Sequence, residues 1–409
     1  MPTPVATDAV LARARLRKLT ILLTSSMAFL ASTVAPGLPA LYADFAHLDN
    51  AELLSRLVLT MPMLFVALAG PFVGIVIDRY GRRNTLIVST LGFGVAGMSG
   101  LVLPSLLAII VGRAFLGIFL VGVLTSVTAL VGDYYHGEQR NRVAGLQGAF
   151  LSFGTLIYTV LGGLLAEIHW RAGFALFAVS FVLLVPMLLS LYEPSRVTPV
   201  ERNRPAEPAP GQREWFVIGW VYILAFVTMI FMFMIPSQTP FFLVDIAVNN
   251  PARAGLAIGL FSFSSGIASL AFPWMRRHFS VTTIFAVIFI DAAIGYVLIG
   301  RATDFSDVLV AMVVGGFSMG AFFPNANIAI LSRTTSAVRG RALSGLAAAF
   351  FLGQFASPFF TLPVAARTSI GASFVISGIF LAGIGAVFIA LTVIARRRRR
   401  GSGAAGSTR

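Results

Sequence analysis

Twelve long apolar runs separated by short polar stretches organise the chain. They lie at roughly 19–41, 54–77, 84–103, 106–131, 143–166, 171–192, 215–243, 254–275, 281–300, 306–331, 342–365 and 370–395. A helix needs about 20 apolar residues to cross the hydrocarbon core, and each run supplies them. None is short enough to read as a re-entrant loop. The first run does not read as a cleaved signal peptide, because it lacks a small-x-small cleavage site and further spans follow at once. The longest polar connection, Glu193 to Glu214, contains Pro194, Pro199, Pro205, Pro208 and Pro210 among mixed charges. Such a segment buries no core and reads as a flexible linker. The predicted organisation is a six-helix bundle over 1–193, a linker over 194–213, a second bundle over 214–400 and a disordered Gly-Ser-Gly tail over 401–409.

The halves repeat weakly. Gly145-Leu146 with Ala149-Phe150 recurs as Gly345-Leu346 with Ala349-Phe350, Val111-Gly112 with Gly117 recurs as Val314-Gly315 with Gly320, and Ala172 with Phe174 recurs as Ala372 with Phe374. The shift is near 200 residues each time. Together with the central linker this favours an internal duplication. The predicted fold class is all-α, with twelve transmembrane helices in two pseudo-symmetric bundles.

Composition narrows the function classes. Of the 409 residues, 57% are hydrophobic and 11% charged, against roughly 25% charged in soluble domains. A soluble globular protein and a disordered chain are both excluded. With no cysteine, disulfides, thiolate metal sites and cysteine nucleophiles are excluded too. His47, His136, His169 and His278 show no metal-ligand spacing, and no G-x-x-x-x-G-K-[ST] loop occurs. No cofactor, metal or nucleotide is expected, and the energy for any transport must come from a gradient.

The net charge of +14 would suggest nucleic acid in a soluble protein. Here the placement of the charges matters instead. With the N-terminus in the cytoplasm, 24 of the 30 Lys and Arg fall in inside segments and five outside, Arg56, Arg171, Arg253, Arg301 and Arg367. Arg113 lies within a span. This asymmetry supports the span count and places both termini inside. No nucleic-acid partner is expected. The Arg396–Arg400 run reads first as a stop-transfer signal, and second as a contact for anionic lipid headgroups.

After the second run comes Gly74-Ile-Val-Ile-Asp78-Arg79-Tyr-Gly81-Arg82-Arg83. Gly74 and Gly81 permit close helix approach and a tight turn. Asp78 is an acid at an Arg-rich boundary, where it could face a helix N-terminus. The stretch resembles the signature loop between spans 2 and 3 of the major facilitator superfamily, and the whole chain resembles that family's twelve-span drug/proton antiporter branch. The resemblance implies that the motif acid meets the start of span 11, near Arg341–Gly345, and that a motif Arg pairs with an acid ending span 4, here Asp133. Gly74, Asp78, Arg79, Gly81, Arg82, Arg83 and Asp133 would then form a conformational switch.

Arg113, with Gly117 after it, resembles the span-4 motif of proton-coupled members. A charge at membrane depth is costly, so function is its default reading; the alternative is an Arg snorkelling to the nearby outer surface. Asp291 is an acid at mid-membrane, able to carry a proton or to stay protonated and hydrogen-bonded to a neighbouring helix. In similar proteins spans 1, 4, 7 and 10 line the cavity, with 5, 8 and 11 beside them. That implies Thr33, Thr125, Tyr158, Thr228, Met232, Ser264, Asn325 and Gln354 as substrate-cavity residues. The Met229–Met234 stretch suits a pocket that re-packs around varied apolar ligands, or ordinary packing. In span 5, Gly154, Gly162 and Gly163 match the antiporter motif, but Tyr158-Thr159 replaces its Gly-Pro.

The expected function is a secondary active transporter, a monomer in a bacterial inner membrane that binds a small-molecule substrate, protons and membrane lipids. Proton-coupled efflux of amphipathic compounds leads. The alternative is a proton symporter or uniporter for a small metabolite or organic anion. An enzyme is not expected, because Asp44, His47, Asp49 and Glu52 cluster without metal spacing or a nucleophile.

Overall fold

The computed structural model describes residues 4–194 and 211–405. Twelve helices are long and apolar enough to cross a membrane. They are span 1 Ala12–Asp44, span 2 Ala51–Tyr80, span 3 Arg82–Leu101, span 4 Leu106–Tyr134, span 5 Gly137–Ile168, span 6 Trp170–Ser190, span 7 Glu214–Asp245, span 8 Pro251–His278, span 9 Val281–Arg301, span 10 Phe305–Leu331, span 11 Val338–Arg367 and span 12 Ile370–Ala395. No strand occurs among the described residues. Most of the expected linker lies outside them. The last helix continues to Ala405, into the stretch expected to be disordered, and 406–409 lie outside the described residues.

Helices are dictated by the solvent, since hydrocarbon offers no partner for a free backbone N–H or C=O. Several starts are capped from the loops. Ser105, Asn250, Ser280 and Asp304 accept from the backbone N–H groups of Ala108, Arg253, Thr283 and Asp307. The Ser306 hydroxyl and the Asp307 N–H hold the exposed Asp304 carboxyl below the usual range.

Spans 1 and 7, the first of each half, are not uniform. Span 1 is α-helical to Ser26, tightens to a 3-10 helix over Met27–Gly37, and resumes as Leu38–Asp44. Span 7 breaks at Phe233, between Gln212–Met232 and Met234–Asp245. Pro36 and Pro236, 200 residues apart, supply the cause. Each lacks an N–H and crowds the carbonyl four residues earlier.

Each half has its own core. The first gathers Ile21, Met27, Phe93, Leu116, Leu120 and Phe177. The second is richer in rings: Phe289 stacks on Phe388 at 5.8 Å and 9°, with Phe285 and Phe322 edge-on or tilted around them.

The halves meet mainly where span 5 crosses span 8 and span 2 crosses span 11. The 5/8 seam is a contact of backbones. A Cβ on Gly255 would lie 2.3 Å from the Thr159 carbonyl oxygen, and one on Gly163 2.5 Å from that of Pro251. Small residues permit this approach. The seam starts at the face opposite the termini, where Asn250 donates to Glu167 at 2.7 Å. It continues down to Ser152 against Gly266. Beyond that the halves part: a Cβ on Gly145 or Gly148 would meet nothing within 4 Å, and Leu270 and Trp274 are exposed. The protein is therefore closed at one face and open at the Arg-rich face.

Candidate functional site

At the open face the turn after span 2 depends on Gly81, whose φ is +90°. That region favours glycine. The turn leaves the first N–H groups of span 3 unsatisfied, and Glu193 takes them: Arg82 N–H donates to Oε1 at 2.7 Å and Arg83 N–H to Oε2 at 2.8 Å. A Cβ on Gly81 would sit 2.7 Å from that carboxylate. Arg83 Nε donates to the Leu191 carbonyl at 2.9 Å, binding the motif to the end of span 6. Arg82 pairs with Asp133 at 2.5 Å, across spans 3 and 4.

Asp78 and Arg79 are exposed on the last turn of span 2. The start of span 11, expected to receive Asp78, is engaged within its own half. Tyr222 of span 7 donates to the Ala342 carbonyl at 2.7 Å and covers Gly345. Gly74 was expected to allow close helix approach. In this conformation a Cβ there would meet nothing within 4 Å, because the halves are parted at its level.

Arg113 is fully buried, so the snorkelling alternative is excluded. Its Nε donates to Val58 O of span 2 at 2.8 Å and its Nη2 to Ala31 O of span 1 at 2.7 Å. Phe174 and Phe177 of span 6 lie 5.8 and 5.5 Å from the guanidinium carbon. One side chain thus ties four spans together, and its acceptor on span 1 belongs to the 3-10 stretch. Gly117 lets span 4 approach span 2, since a Cβ would be 2.2 Å from Pro62 O. Asp291 is half-buried on span 9 against Ser318 of span 10. Arg113 and Asp291 belong to different halves and share no site.

The eight expected cavity residues separate into two groups. Thr33 is buried where span 1 meets spans 5 and 6, its hydroxyl on Leu30 O. Thr228 bonds to Leu224 O within span 7. Met232 is buried in the second half's core, with the Ser318 hydroxyl 3.9 Å from its sulfur. Ser264 donates to Val313 O at 2.6 Å, and Asn325 to Val281 O at 3.0 Å. Ser264 and Asn325 bond between helices of one half and Met232 meets Ser318 across helices, whereas Thr33 and Thr228 bond to carbonyls of their own spans. Tyr158 and Thr125 are half-buried in the first half, with Tyr158 3.2 Å from the Ser26 hydroxyl. Gln354 is buried beside Met229, 3.9 Å from its sulfur.

Three phenylalanines bridge the halves, one from the Met229–Met234 stretch and two from span 11. Phe233, at the break in span 7, and Phe351 and Phe355 of span 11 pack on the first half's core. With 36 phenylalanines in the chain, composition gave no reason to choose them; the break at Pro236 was the available signal. At the closed face, Ala35, Leu38 and Leu59 of the first half pack on Phe241 and Ile258 of the second. Arg56, one of the charges placed on the outer side from sequence, is fully buried there. It pairs with Glu52 at 2.9 Å and lies 4.1 Å from the Phe241 ring centre. One helical turn joins it to Glu52, and the ring supplies a second partner from the other half.

Comparisons with known proteins agree on the family. The sequence model described as Major Facilitator Superfamily matches residues 20–300. The class C tetracycline resistance protein of Escherichia coli is 28% identical over 304 residues, covering 70% of this chain and 75% of that protein. Multidrug resistance protein 1 of Bacillus subtilis is 29% identical over 167 residues, covering 40% of this chain and 41% of that one. Among solved structures, the D-xylose–proton symporter superposes with a TM-score of 0.73 at 15% identity, over 93% of this chain and 97% of its own.

Proposed function

This chain belongs to the major facilitator superfamily and is an integral membrane transporter rather than an enzyme, and we propose that it exports small amphipathic compounds in exchange for protons by alternating access. Its termini would lie in the cytoplasm and the host membrane would be a bacterial inner membrane.

The observation that carries this reading is the asymmetric seam between the halves. Contact along spans 5 and 8 runs close from the face opposite the termini to Gly266 and leaves Gly145 and Gly148 with nothing within 4 Å, and it is of small residues over which two bundles can rock. This conformation is the one open to the Arg-rich face. The substrate class rests on two supports. The aromatic side chains Phe233, Phe351 and Phe355 reach from the second half onto the first half's core, and the relatives named above confer tetracycline or multidrug resistance by their names. Substrate would rest against Tyr158, Thr125 and Gln354.

The motif serves as the latch of the opposite state. Glu193 and the Arg82–Asp133 pair hold the turn in shape, so that Asp78 is presented to the start of span 11 when the open face closes. Arg79 and Arg83 are the flanking cations of that turn. Arg113 keeps spans 1, 2, 4 and 6 moving as one body, and Asp291 is the proton carrier.

The test is proton flux in proteoliposomes during addition of lipophilic cations, neutral drugs, sugars and organic acids. A substrate-dependent proton signal, lost in Asp291→Asn, is expected with the lipophilic compounds. Labelled substrate equilibrating without any proton signal would replace the antiporter by a uniporter.

A further inference from the structure

The two halves differ at one corner of the Arg-rich face. In the first half the corner between spans 1, 4 and 6 is filled. The Arg17 guanidinium lies 5.1 Å from the ring centre of Tyr134 and 5.2 Å from that of Tyr192. Those rings lie 4.7 Å apart, tilted by 36°, and the Tyr134 hydroxyl bonds to the Tyr192 carbonyl. The Ser190 hydroxyl donates to Thr20.

Moved by 200 residues, Arg17, Thr20, Tyr134, Ser190 and Tyr192 fall at Val217, Trp220, Thr334, Ala390 and Thr392. None of the filling side chains recurs. There, spans 7 and 12 stand apart over a floor of spans 9 and 10 and bound a cavity of about 540 Å³. Its walls are apolar, with Trp220 and Leu224 on one side, Phe388 and Leu391 on the other and Phe285 beneath. Arg333, exposed at the end of span 10, is the charged residue of the lining.

We propose that this corner is a binding site for an anionic phospholipid of the surrounding bilayer. One acyl chain enters between spans 7 and 12, and the phosphate is held by Arg333. Three features select this occupant. The slot opens sideways, where Trp220 and Val387 are exposed on the membrane-facing surface, so its entrance is hydrocarbon. The volume falls within the roughly 300–1,000 Å³ of ligand pockets, and its apolar wall suits an unbranched chain. The rim carries positive charge at headgroup level, from Arg333 and from the exposed Arg397 just past span 12. The lipid would do for the second half what Arg17, Tyr134 and Tyr192 do for the first. This site lies inside one bundle and does not depend on the transport reaction proposed above.

The test uses full-length protein in phosphatidylcholine nanodiscs holding a minor fraction of brominated lipid. Trp220 emission is isolated as the difference between wild type and Trp220→Phe. Brominated phosphatidylglycerol should quench it more strongly than brominated phosphatidylcholine at the same fraction. Arg333→Gln should lower that preference about five-fold, the effect of one cation near the surface. Ala329→Phe, which fills the slot without touching the charge, should reduce quenching by both lipids. Equal quenching by both lipids in wild type would overturn the headgroup site. Quenching unaltered by Ala329→Phe, in a variant that still elutes and melts as wild type does, would overturn the acyl slot.

Discussion

The first half is held by guanidinium groups and carboxylates, the second by rings. The ion pairs Arg56–Glu52 and Arg82–Asp133 fall in the first half. So do Arg113, with two carbonyls from two spans, and Arg171, whose Nη1 donates to Gly100 O and Leu103 O at 2.7 and 2.9 Å. The second half relies on Phe285, Phe289, Phe322, Phe374, Phe388 and Tyr296, and the Tyr296 hydroxyl reaches the Phe231 carbonyl near the span 7 break. One fold thus tolerates two kinds of interior. Lipid removes most of the hydrophobic drive between helices, so dispersion packing and interhelical hydrogen bonds remain as the alternatives. A directional bond fixes which carbonyl meets which donor. A stack of rings tolerates small slides. The difference teaches that the first half is the more rigid body and the second the more adaptable one.

The largest effect should come from the second half's core. Phe289→Ala removes a fully buried ring and is expected to cost about 3–5 kcal/mol, read as a fall in melting temperature in detergent. A loss under a third of that would mean the ring stack is not what holds this half. Next is Arg113→Met, which strips two charged hydrogen bonds. Its expected cost is about 2–3 kcal/mol, and Arg113→Lys should recover little, because a single ammonium does not span Val58 and Ala31 as the planar fork does. Full recovery by lysine would show that charge, not direction, is what matters there.

Glu193→Gln should cost about 1 kcal/mol through the weakened cap of span 3 and also slow transport. Hydrogen exchange of the Arg82 and Arg83 amides would report the first effect, and normal exchange there would remove Glu193 from the motif. Asp78→Asn should leave melting unchanged while crippling turnover in vesicles, and a normal transport rate would end its assignment to the latch. The smallest effect concerns Asp304. Its carboxyl is depressed in the folded protein, so its contribution is present above the unfolded value and lost as pH falls through the folded one. The wild type should therefore lose slightly more stability than Asp304→Asn on acidification, and a larger loss in the variant would reverse the sign.

Hydropathy located the twelve spans, because lipid imposes length and apolarity on every crossing. The motif was legible as well, since glycines, an acid and arginines at a loop are rare together in such a composition. Facing was not legible. In Ser264 or Asn325 the side chain is polar whether it lines a cavity or bonds a neighbouring carbonyl, and only the position of Val313 or Val281 distinguishes the two. The burial of Arg56 was not legible, because Phe241, the ring beside it, lies 185 residues further on and in the other half. Glu193 read as the first residue of a linker. Its role as a cap depends on the end of span 6 returning to the start of span 3, which no local pattern encodes. Met232 offered an adaptable side chain to a pocket, but the same flexibility lets it fill the core.

The glycine seam makes spans 5 and 8 levers with a fulcrum near the middle of span 5. The joined portion of span 5, from Glu167 down to Ser152, is about 23 Å long at 1.5 Å per residue, and the free arm from Ser152 to Gly137 is about the same. A tilt of roughly 20° about the lower end of the seam would carry the tip of that arm through about 8 Å, given that length. At the pivot itself the Ser152 side chain meets Gly266, with the Phe153 and Phe263 rings 6.0 Å apart beside it. The mechanical advantage is set by where the glycines stop: a glycine moved one turn toward the Arg-rich face would shorten the arm, and with it the stroke.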